Sequence, residues 1–238
     1  MKTVLITGAS RGIGAAIARM FAKNGYHTVI TCAHDKETLF SLKKEIEENI
    51  SVSCTALVCD VSDYASVEAL FASIPAPDVL INNAGISYFG LLSEMSVSDW
   101  HHVMDTNLNA CFYTCKCAIP AMVHKKEGRI LNISSVWGTV GASTETAYST
   151  SKGGLNALTK ALAKELAPSN IQVNAIAPGV IDTAMNKCLS ADDLAVLKEE
   201  IPADRLGSPD EVAALAWQVV NAPLYMTGQI ISIDGGWI

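Results

Sequence analysis

The chain has 238 residues, of which half are apolar, and its formal net charge is −7 at pH 7. This length and composition suit one α/β domain with a full core, so we expect residues 1–238 to form a single domain. An acidic chain without a run of Lys and Arg is a poor ligand for nucleic acid or for a membrane surface, and no apolar run approaches the roughly 18 residues that a membrane span needs. The short apolar start of the chain is typical of a strand rather than of a signal peptide, so we expect a cytoplasmic protein.

The seven cysteines are odd in number and lack the spacing of a disulfide framework, so free thiols are expected. Cys111, Cys115 and Cys117, with His101 and His102 upstream, could form a metal cluster. The sequence has no Cys-x-x-Cys pair or closing pair to complete such a site, and small buried residues on a helix are the ordinary interpretation. We therefore expect no metal site.

The first strand is predicted at residues 2–7, followed by a glycine-rich turn and a helix whose apolar positions recur at helical spacing. A strand, a glycine turn and a helix in this order are the context of a dinucleotide-binding fingerprint. Gly8 would permit the tight turn, Gly12 would let the backbone approach a pyrophosphate, and Gly14 would allow close packing of helix and strand. The amino end of the helix would then direct its free N–H groups at the phosphates. Because the spacing is Gly-x-x-x-Gly-x-Gly, a purely structural turn stays the alternative.

The end of the second predicted strand, residues 26–33, bears on the choice of cofactor. An Asp or Glu at this position holds the ribose 2′-hydroxyl of NAD, whereas a basic residue accommodates the 2′-phosphate of NADP. The tip of the strand carries Cys32, and Asp35 follows a few residues too late. Arg11, in the glycine turn, can reach the same phosphate. The sequence therefore favours NADP(H), with NAD(H) as the alternative.

Polar and small residues follow the next two strands, which are predicted at residues 52–59 and 78–81. Cofactors bind at the carboxyl ends of the strands in open α/β sheets. Asp60, followed by Val61, could accept the adenine amino group there, or it could cap the helix that begins just beyond it. The run Asn-Asn-Ala-Gly at 82–85 suits a backbone that passes close to a ligand and ties loops together.

The rest of the chain continues to alternate between helices and strands. Asn107 lies within a predicted helix at residues 100–123, where Asn is mildly unfavourable and needs a reason. The pattern implies a Rossmann-type, doubly wound parallel sheet of about seven strands with helices on both faces. We expect a cofactor-binding half at about 1–90 and a catalytic and substrate half at about 91–238. The other predicted strands are 128–134, 171–177 and 229–233, and the other helices are 36–49, 148–167 and 209–220, with an amphipathic segment at 186–200.

Tyr148 and Lys152 are four residues apart, so a helix puts both side chains on one face. At about 4 Å and an effective dielectric constant near 20, phenolate and ammonium attract each other by about 4 kcal/mol. Lys152 could thus lower the pKa of the Tyr148 phenol by a few units towards neutral pH, where the phenol can act as a general acid or base. Most Tyr-x-x-x-Lys pairs are solvated helix faces, so this pair indicates function only together with a partner Ser and a redox cofactor.

Taken together, the motifs resemble those of the short-chain dehydrogenases/reductases over essentially the whole chain. Within that family the chain is most similar to the 3-oxoacyl-acyl-carrier-protein reductases, and it also resembles a bacterial group that reduces the 5-aminopentanone modification on elongation factor P. The family motifs are Thr-Gly-Ala-Ser-Arg-Gly-Ile-Gly at 7–14, Asn-Asn-Ala-Gly at 82–85, Asn107, Ser135 with Tyr148 and Lys152, and Pro178-Gly179 with Thr183. The similarity to the first group includes Arg-Leu-Gly at 205–207 and Thr-Gly-Gln at 227–229, and that to the second lies in residues 135–138 and 140–143.

The resemblance implies a role for each catalytic residue. Tyr148 would be the general acid in ketone reduction, and Lys152 would lower its pKa and bind the nicotinamide ribose. Ser135, rather than the neighbouring Ser134, would hold the substrate carbonyl oxygen. Asn107 would bend its helix and anchor a water molecule that relays protons to Lys152. The residues implied in cofactor binding are Gly8, Ser10, Arg11, Gly12, Ile13, Gly14, Asp60, Val61, Asn83, Ala84, Gly85, Tyr148, Lys152, Pro178, Gly179, Ile181 and Thr183, of which the last two would orient the nicotinamide carboxamide.

The resemblance also implies a substrate, which is a 3-oxoacyl thioester reduced with NADPH in fatty acid biosynthesis by a homotetramer. The alternatives are the 5-aminopentanone group on elongation factor P, a sugar, a polyol or a steroid, and a protein that binds NADP without turnover is the remote alternative. Reductases that bind acyl carrier protein use basic surface positions. Lys126 keeps one of them, but Ser169 occupies the other and is uncharged, which argues against a carrier-borne substrate. The residues expected near an apolar substrate pocket are Tyr88, Phe89, Met95, Trp137 and Met185.

Overall fold

The computed structural model describes residues 1–188 and 190–238. Within these residues, seven strands form one sheet in the order β3-β2-β1-β4-β5-β6-β7, and every neighbouring pair is parallel. The predicted doubly wound parallel sheet of the Rossmann type is therefore confirmed. The strands are β1 (Thr3–Ile6), β2 (His27–Cys32), β3 (Cys54–Val58), β4 (Val79–Asn82), β5 (Gly128–Ile133), β6 (Ile171–Pro178) and β7 (Ile230–Ile233).

Helices cover both faces of the sheet. In chain order they are α1 (Gly12–Lys23), α2 (Lys36–Glu45), α3 (Tyr64–Ser73), α4 (Val97–Met104), α5 (Ala110–Lys125), α6 (Trp137–Val140), α7 (Thr146–Leu166), α8 (Ala191–Glu200) and α9 (Pro209–Val220). One face carries α1, α2 and α9, and the other carries α3, α5 and α7. None of the helices in the described part of the chain is long and apolar enough to cross a membrane.

The sheet is buried on both faces, which explains the nearly continuous apolar runs of its strands. In β1, Val4 and Ile6 face the core beneath α1, α2 and α9, whereas Leu5 faces the core beneath α3, α5 and α7. Successive side chains of a strand point to opposite faces, so the two cores share the same strands. The first core also contains Phe21, whose ring meets that of Trp217 edge-on with 5.2 Å between centroids. This contact joins α1 to α9.

The order of the strands reverses between β3 and β4. β1, β2 and β3 lie side by side in one direction, and β4 then returns to the other side of β1. In open α/β sheets, ligands bind outside the carboxyl ends of the strands at such a switch point. The loops after β1 and β4 meet here, because a Cβ atom on Gly8 would lie 2.8 Å from the Cα atom of Ala84. The fold therefore brings together the glycine-rich turn and the Asn-Asn-Ala-Gly run at 82–85.

The helix predicted at 100–123 is wrong in its start and in its continuity. The structure instead has α4, a π-helical turn at Asp105–Asn109, and then α5. The extra residue of a π-helical turn changes the direction of the helix locally, and such turns are frequent at functional sites. Asn107, the unfavourable residue of the predicted helix, lies in this turn and is fully buried.

Three smaller predictions can also be compared with the structure. Asp63, and not Asp60, caps α3, because its carboxylate accepts a hydrogen bond from the Ser66 N–H group at 3.0 Å. The segment predicted at 186–200 consists of the end of a 3-10 helix and of α8, apart from Leu189, which lies outside the described residues. The cysteines at 32, 54, 59, 111, 115 and 117 are free thiols, and the Cys188 side chain lies outside the described part of the chain.

Candidate active site

Asn83 fastens the glycine-rich loop after β1 to the loop after β4. Its Nδ2 atom donates hydrogen bonds to the carbonyl oxygens of Thr7 and Gly8, both at 2.9 Å. In the other direction, the Thr7 hydroxyl oxygen accepts hydrogen bonds from the N–H groups of Asn83 and Ala84, at 3.0 and 3.1 Å. The sequence indicated that residues 82–85 tie loops together, but it did not identify Thr7 as the partner. The only signal for Thr7 was its place between the strand and Gly8.

The glycines of this loop lie where a side chain would collide. Gly8 and Gly12 have φ angles of 63° and 56°, in the left-handed region that favours glycine. A Cβ atom on Gly14 would lie 2.5 Å from both Asn83 Nδ2 and the Gly8 carbonyl oxygen. A Cβ atom on Gly12 would lie 3.3 Å from Cγ2 of Thr183. Backbone without side chains therefore lines this loop at Gly8, Gly12 and Gly14, which we call the glycine cradle. Thr183 lies beside it.

The amino end of α1 is open. Arg11 occupies the N-cap position, but its side chain makes no capping hydrogen bond. The first N–H groups of a helix have no partner within the helix, and the helix dipole adds partial positive charge to them. Such an end binds phosphate groups. The bare loop and the open helix end together fit the pyrophosphate of a nicotinamide dinucleotide.

Opposite charges meet beyond the end of β2. The strand ends at Cys32, which is buried, so its tip carries no carboxylate. Asp35 caps α2 by accepting a hydrogen bond from the Thr38 N–H group at 3.3 Å. Hydrogen bonds from the Thr38 side chain and backbone hold the pKa of Asp35 below its ordinary value. Its other carboxylate oxygen lies 3.6 Å from the guanidinium of Arg11. Arg11 is thus a cation beside the tip of β2, and Asp35 competes with any other anion for it.

Asp60 and Val61 follow β3 at the same edge of the sheet. The exposed Asp60 carboxylate accepts hydrogen bonds from the Ser62 hydroxyl at 2.7 Å and from the Ser62 N–H group at 3.0 Å, and these bonds lower its pKa. The side chain of Val61 is 5% exposed and packs in the core beneath α3, α5 and α7. A ligand at this position would therefore meet the carboxylate of Asp60 but only the backbone of Val61.

Two neighbouring serines at the end of β5 have different surroundings. The Ser134 hydroxyl donates a hydrogen bond to Asn156 Oδ1 at 2.6 Å in the protein interior. The Ser135 hydroxyl instead forms a hydrogen bond with the hydroxyl of Tyr148, and its oxygen accepts another from the Trp137 N–H group at 3.2 Å. Of these two serines, Ser135 is therefore the one beside Tyr148.

Lys152 is buried next to Tyr148. Its Nζ atom donates a hydrogen bond to the Ile133 carbonyl oxygen at 2.8 Å and lies 5.6 Å from the centre of the Tyr148 ring. Removal from water lowers the pKa of Lys152 to about 8 and raises the pKa of Tyr148 to about 12, although the hydrogen bond with Ser135 acts in the opposite direction on Tyr148. The prediction that the pKa of Tyr148 is lowered towards neutral pH is therefore wrong for this arrangement. Desolvation outweighs the hydrogen bond with Ser135, and the ammonium of Lys152 is engaged with the Ile133 carbonyl oxygen.

Asn107 connects three parts of the site. Its Oδ1 atom accepts a hydrogen bond from the Ile86 N–H group at 2.8 Å, and its Nδ2 atom donates to the Ile86 carbonyl oxygen at 2.9 Å and to Ser151 Oγ at 3.0 Å. A Cβ atom on Gly85 would lie 3.4 Å from Asn107 Oδ1 and 3.5 Å from Lys152 Nζ. The π-helical turn, the loop after β4 and α7 therefore converge around Gly85.

The residues after β6 also lie at the edge of the sheet formed by the carboxyl ends of the strands. The carbonyl oxygen of Pro178 accepts a hydrogen bond from the Val136 N–H group at 3.1 Å, which joins the end of β6 to the turn that carries Ser135. A Cβ atom on Gly179 would lie 2.8 Å from Cβ of Asp234, so the backbone is close-packed here. The remaining predicted cofactor residues are Ser10 in the glycine loop, Ile13 in the first turn of α1, which packs against the first core, and Ile181, which pairs with Gly207.

Glu145, three residues before Tyr148, is a buried carboxylate, only 8% exposed, that the sequence did not reveal. Its carboxylate accepts a hydrogen bond from the indole of Trp137. The Trp137 ring in turn lies 4.8 Å from that of Trp237, near the end of the chain. No sequence signal identified Glu145, because a glutamate just before a helix is ordinarily an exposed residue.

The fold and the site together define a class of protein. A Rossmann-type sheet with a bare glycine cradle at an open helix end is the framework of a nicotinamide-dependent enzyme. A family model described as "short chain dehydrogenase" matches residues 2–194. The chain belongs to the short-chain dehydrogenase family. It is accordingly an NAD(P)-dependent oxidoreductase that acts on CH–OH or C=O groups.

Similar proteins cover nearly the whole chain. The chain is 36% identical over 238 residues to an uncharacterized oxidoreductase of Bacillus subtilis, YmfI, with 99% of this chain and 98% of that protein covered. It is 37% identical over 240 residues to the 3-oxoacyl-(acyl-carrier-protein) reductase FabG of Escherichia coli, with 99% and 96% covered. A crystal structure from Agrobacterium tumefaciens, provisionally described as a gluconate dehydrogenase, superposes with a TM-score of 0.94 at 34% identity and covers 99% of this chain and 95% of that one.

Proposed function

We propose that this protein reduces a ketone to a secondary alcohol with NADPH, that Tyr148 is the general acid, and that a 3-oxoacyl thioester is the first substrate to test. The observation that carries the proposal is the hydrogen bond between the hydroxyls of Ser135 and Tyr148, with Lys152 buried beside them. These three side chains lie at the same edge of the sheet as the glycine cradle. Bound NADPH would supply the hydride.

Ser135 and Tyr148 would together hold the carbonyl oxygen of the ketone. Both hydroxyls can donate hydrogen bonds, and these bonds strengthen as negative charge develops on the oxygen. A phenol whose pKa is raised to about 12 is protonated at neutral pH and is therefore ready to act as an acid. Tyr148 would transfer its proton to the oxygen as the alcohol forms.

Lys152 would stabilise the phenolate that this transfer leaves behind. With a pKa of about 8, its amine is mostly protonated at neutral pH, and its Nζ atom is near the phenol ring. Asn107 would position this lysine through Ile86 and Ser151. Because both Nδ2 hydrogens of Asn107 have protein partners, its side chain could hold the proposed relay water only through Oδ1.

The proposed cofactor site uses the residues of the sequence analysis. Gly8, Gly12 and Gly14, with the open end of α1, would hold the pyrophosphate. Arg11 would hold the 2′-phosphate, and the absence of a carboxylate at the tip of β2 supports NADPH over NADH. The remaining proposed contacts are Ser10, Ile13, Asp60, Val61, Asn83, Ala84, Gly85, Tyr148, Lys152, Pro178, Gly179, Ile181 and Thr183.

The choice of a 3-oxoacyl thioester is supported by the name of the similar Escherichia coli reductase. A carrier protein is less well supported, because Lys126 and Ser169 together provide one positive charge instead of two. The 5-aminopentanone group on elongation factor P, sugars, polyols and steroids stay alternatives. We also keep the single domain at 1–238, the homotetramer and the cytoplasmic location as parts of the proposal. Exposed Phe112 on α5 is compatible with an interface.

The test follows the loss of reduced-nicotinamide absorbance with acetoacetyl coenzyme A, first with NADPH and then with NADH. We expect faster turnover with NADPH. Faster turnover with NADH would overturn the cofactor preference. Tight NADPH binding without turnover of the thioester, but with turnover of another ketone, would change the proposed substrate. Binding of NADPH without turnover of the thioester or of any other ketone tested would favour a non-catalytic NADP-binding protein.

A further inference from the structure

Asn156 is a buried amide on α7 that the proposed mechanism does not use. It follows Lys152 by four residues and Tyr148 by eight, so the three side chains lie along one face of the helix. Asn is mildly unfavourable within a helix, and Asn156 is only 8% exposed. A buried amide in the middle of a helix needs a tertiary partner for its polar atoms.

Both polar ends of this amide hold the turn that follows β5. The Ser134 hydroxyl donates a hydrogen bond to Asn156 Oδ1 at 2.6 Å, and Asn156 Nδ2 donates to the Gly138 carbonyl oxygen at 3.1 Å. Because a carbonyl oxygen can only accept, the bond to Gly138 fixes which end of the amide carries the hydrogens. The amide therefore holds two residues that are four apart in the chain, and Ser135 lies between them.

The turn also packs directly on the backbone of α7. A Cβ atom on Gly138 would lie 2.7 Å from the carbonyl carbon of Lys152 and 2.8 Å from its oxygen, so a side chain does not fit here. Within the turn, the Gly138 N–H group donates a hydrogen bond to the Ser135 carbonyl oxygen at 3.0 Å. Ser135 is therefore connected to Asn156 on both sides, through its neighbour Ser134 and through Gly138.

Backbone hydrogen bonds hold the other side of the turn to β6. The Ser134 N–H group donates to the Ile176 carbonyl oxygen at 2.7 Å, and the Val136 N–H group donates to the Pro178 carbonyl oxygen at 3.1 Å. These bonds fix the turn relative to the sheet. The two bonds of the Asn156 amide fix it relative to α7, the helix that carries the phenol of the proposed mechanism.

We infer that Asn156 is a positioning residue, which holds the turn after β5 so that the hydroxyl of Ser135 faces that of Tyr148. The inference rests on the proposed ketone reduction and adds a residue to it. Two hydroxyls that bind one carbonyl oxygen must both reach it, and a misplacement of about 1 Å costs up to about a hundredfold in rate. Asn156 would act through Ser135 and would not contact the ketone itself.

The test is a double-mutant cycle on the reduction of a ketone that the wild-type protein turns over with NADPH, with acetoacetyl coenzyme A as the first choice. Asn156→Leu replaces the amide by an apolar side chain of similar shape and removes both bonds to the turn. We expect kcat to fall by roughly ten- to a hundredfold. The KM for NADPH should change by less than about twofold, because the glycine cradle lies in other loops.

The second half of the cycle repeats the substitution in a protein that already carries Ser135→Ala. There, Asn156→Leu should lower kcat by less than about twofold, because the hydroxyl that Asn156 positions is absent. Equal losses in the two backgrounds would show that Asn156 acts independently of Ser135 and would overturn the inference. An Asn156→Leu protein with unchanged kcat would overturn it as well.

Thr159→Val is the matched control. Thr159 is also buried on α7, one turn beyond Asn156, and its hydroxyl oxygen accepts a hydrogen bond from Asn132 Nδ2 in β5 at 2.8 Å. Valine keeps the shape and removes this bond, so the melting temperature should fall while kcat changes by less than about twofold. A loss of kcat as large as in Asn156→Leu would assign both losses to a general loosening between α7 and β5, and the inference would be wrong.

Ser134→Ala takes the place of Asn156→Leu in the cycle if circular dichroism shows that the leucine variant does not fold. It removes the 2.6 Å bond and leaves the bond to Gly138, so we expect a smaller fall in kcat, by roughly threefold or more, and only in the background that contains Ser135. An unchanged kcat would overturn the inference. All of these outcomes leave the proposed function in place. If the wild-type protein reduces no ketone, or if Ser135→Ala keeps full turnover, the proposed mechanism fails, and the inference fails with it.

Discussion

The amino ends of the helices fall into two groups. In the described part of the chain, five helices begin with a side chain that accepts a hydrogen bond from an N–H group of the first turn. Of the four that lack such a bond, α5 continues the π-helical turn and α6 is a single turn, which leaves α1 and α7 as open ends at Arg11 and Glu145. Both of these open ends border the candidate site. The capping residues of the other group are Asp35 for α2, Asp63 for α3, Ser96 for α4, Ser190 for α8 and Ser208 for α9.

The capped and the open helices use the N–H groups of their first turns differently. A cap satisfies an N–H group within the chain and stabilises the fold by about 1 kcal/mol. An open end gives up this stability and leaves its N–H groups for a ligand, as proposed for α1. At α7, the side chain that could cap is turned to Trp137 instead. We therefore expect substitutions at the open ends to change catalysis or binding, and substitutions at the capped ends to change stability.

The largest effect is expected in the first turn of α7. Tyr148→Phe removes the hydroxyl that meets Ser135 and keeps the ring. We expect kcat to fall by about a thousandfold, within the range of about 10²–10⁴ that general acid catalysis typically contributes. The Kd for NADPH, measured by fluorescence titration, and the melting temperature should stay nearly unchanged. Undiminished turnover would contradict the role of Tyr148, and a large drop in melting temperature would contradict the separation between open and capped ends.

The second prediction concerns the loss of folding stability that results from burying Lys152 in the candidate site. Its pKa falls from 10.5 in the unfolded chain to about 8 in the folded protein. Between these values the unfolded chain binds more protons, so this group makes the free energy of unfolding rise with pH. From about pH 7 to about pH 10, the difference between the wild type and Lys152→Met should increase by about 2 to 3 kcal/mol in favour of the wild type.

Denaturant titrations of both proteins at several pH values measure this difference. The comparison with Lys152→Met cancels the titration of the cysteines and tyrosines, which both proteins share. A difference that does not change with pH would mean that Lys152 keeps an ordinary pKa in the folded protein. The buried ammonium would then not be a source of instability in the site.

The sheet, the glycine-rich loop after β1 and the loop at 82–85 could be predicted from the sequence, because each depends on a local pattern. Apolar runs predict buried strands. The glycines at 8, 12 and 14, which follow a strand and lead into a helix, predict the glycine cradle whatever the fold of the rest of the chain. Tyr148 and Lys152 share a helix face for the same reason. Such features depend on residues within one or two helical turns of each other.

The parts that could not be predicted depend on partners far away in the chain. Asn107 was noticed as unfavourable, but nothing in the sequence pairs it with Ile86, 21 residues earlier. The amine of Lys152 was expected to act on the phenol, but the structure directs it at the carbonyl oxygen of Ile133, 19 residues away. Glu145 was missed because its hydrogen-bond partner, the indole of Trp137, belongs to a different helix. The direction and the burial of a side chain follow from tertiary packing, which the spacing of residues in the sequence does not specify.

The third prediction tests the open end of α1 through its charge. Arg11→Ala should lower the ratio of kcat/KM for NADPH to that for NADH by roughly tenfold, since a hydrogen bond to a charged group contributes about 1.5–3 kcal/mol. Asp35→Asn should raise the ratio, because Asn can still cap α2 but no longer competes for Arg11. Arg19→Ala is the control, since Arg19 lies on the same helix and pairs with Glu45. An unchanged ratio in Arg11→Ala would assign the 2′-phosphate to other residues.

The smallest effect is expected at a capped end. The Ser208 hydroxyl accepts a hydrogen bond from the Glu211 N–H group at 3.2 Å, and the Glu211 carboxylate accepts one from the Ser208 N–H group at 2.9 Å. Ser208→Ala removes the first bond and should lower the free energy of unfolding by about 1 kcal/mol, measured by denaturant titration. Neither the KM for NADPH nor kcat should change, because α9 packs behind α1 and its amino end has no proposed ligand. A loss of turnover without a loss of stability would show that a capped end also serves the site, and the distinction between the two groups of helices would then fail.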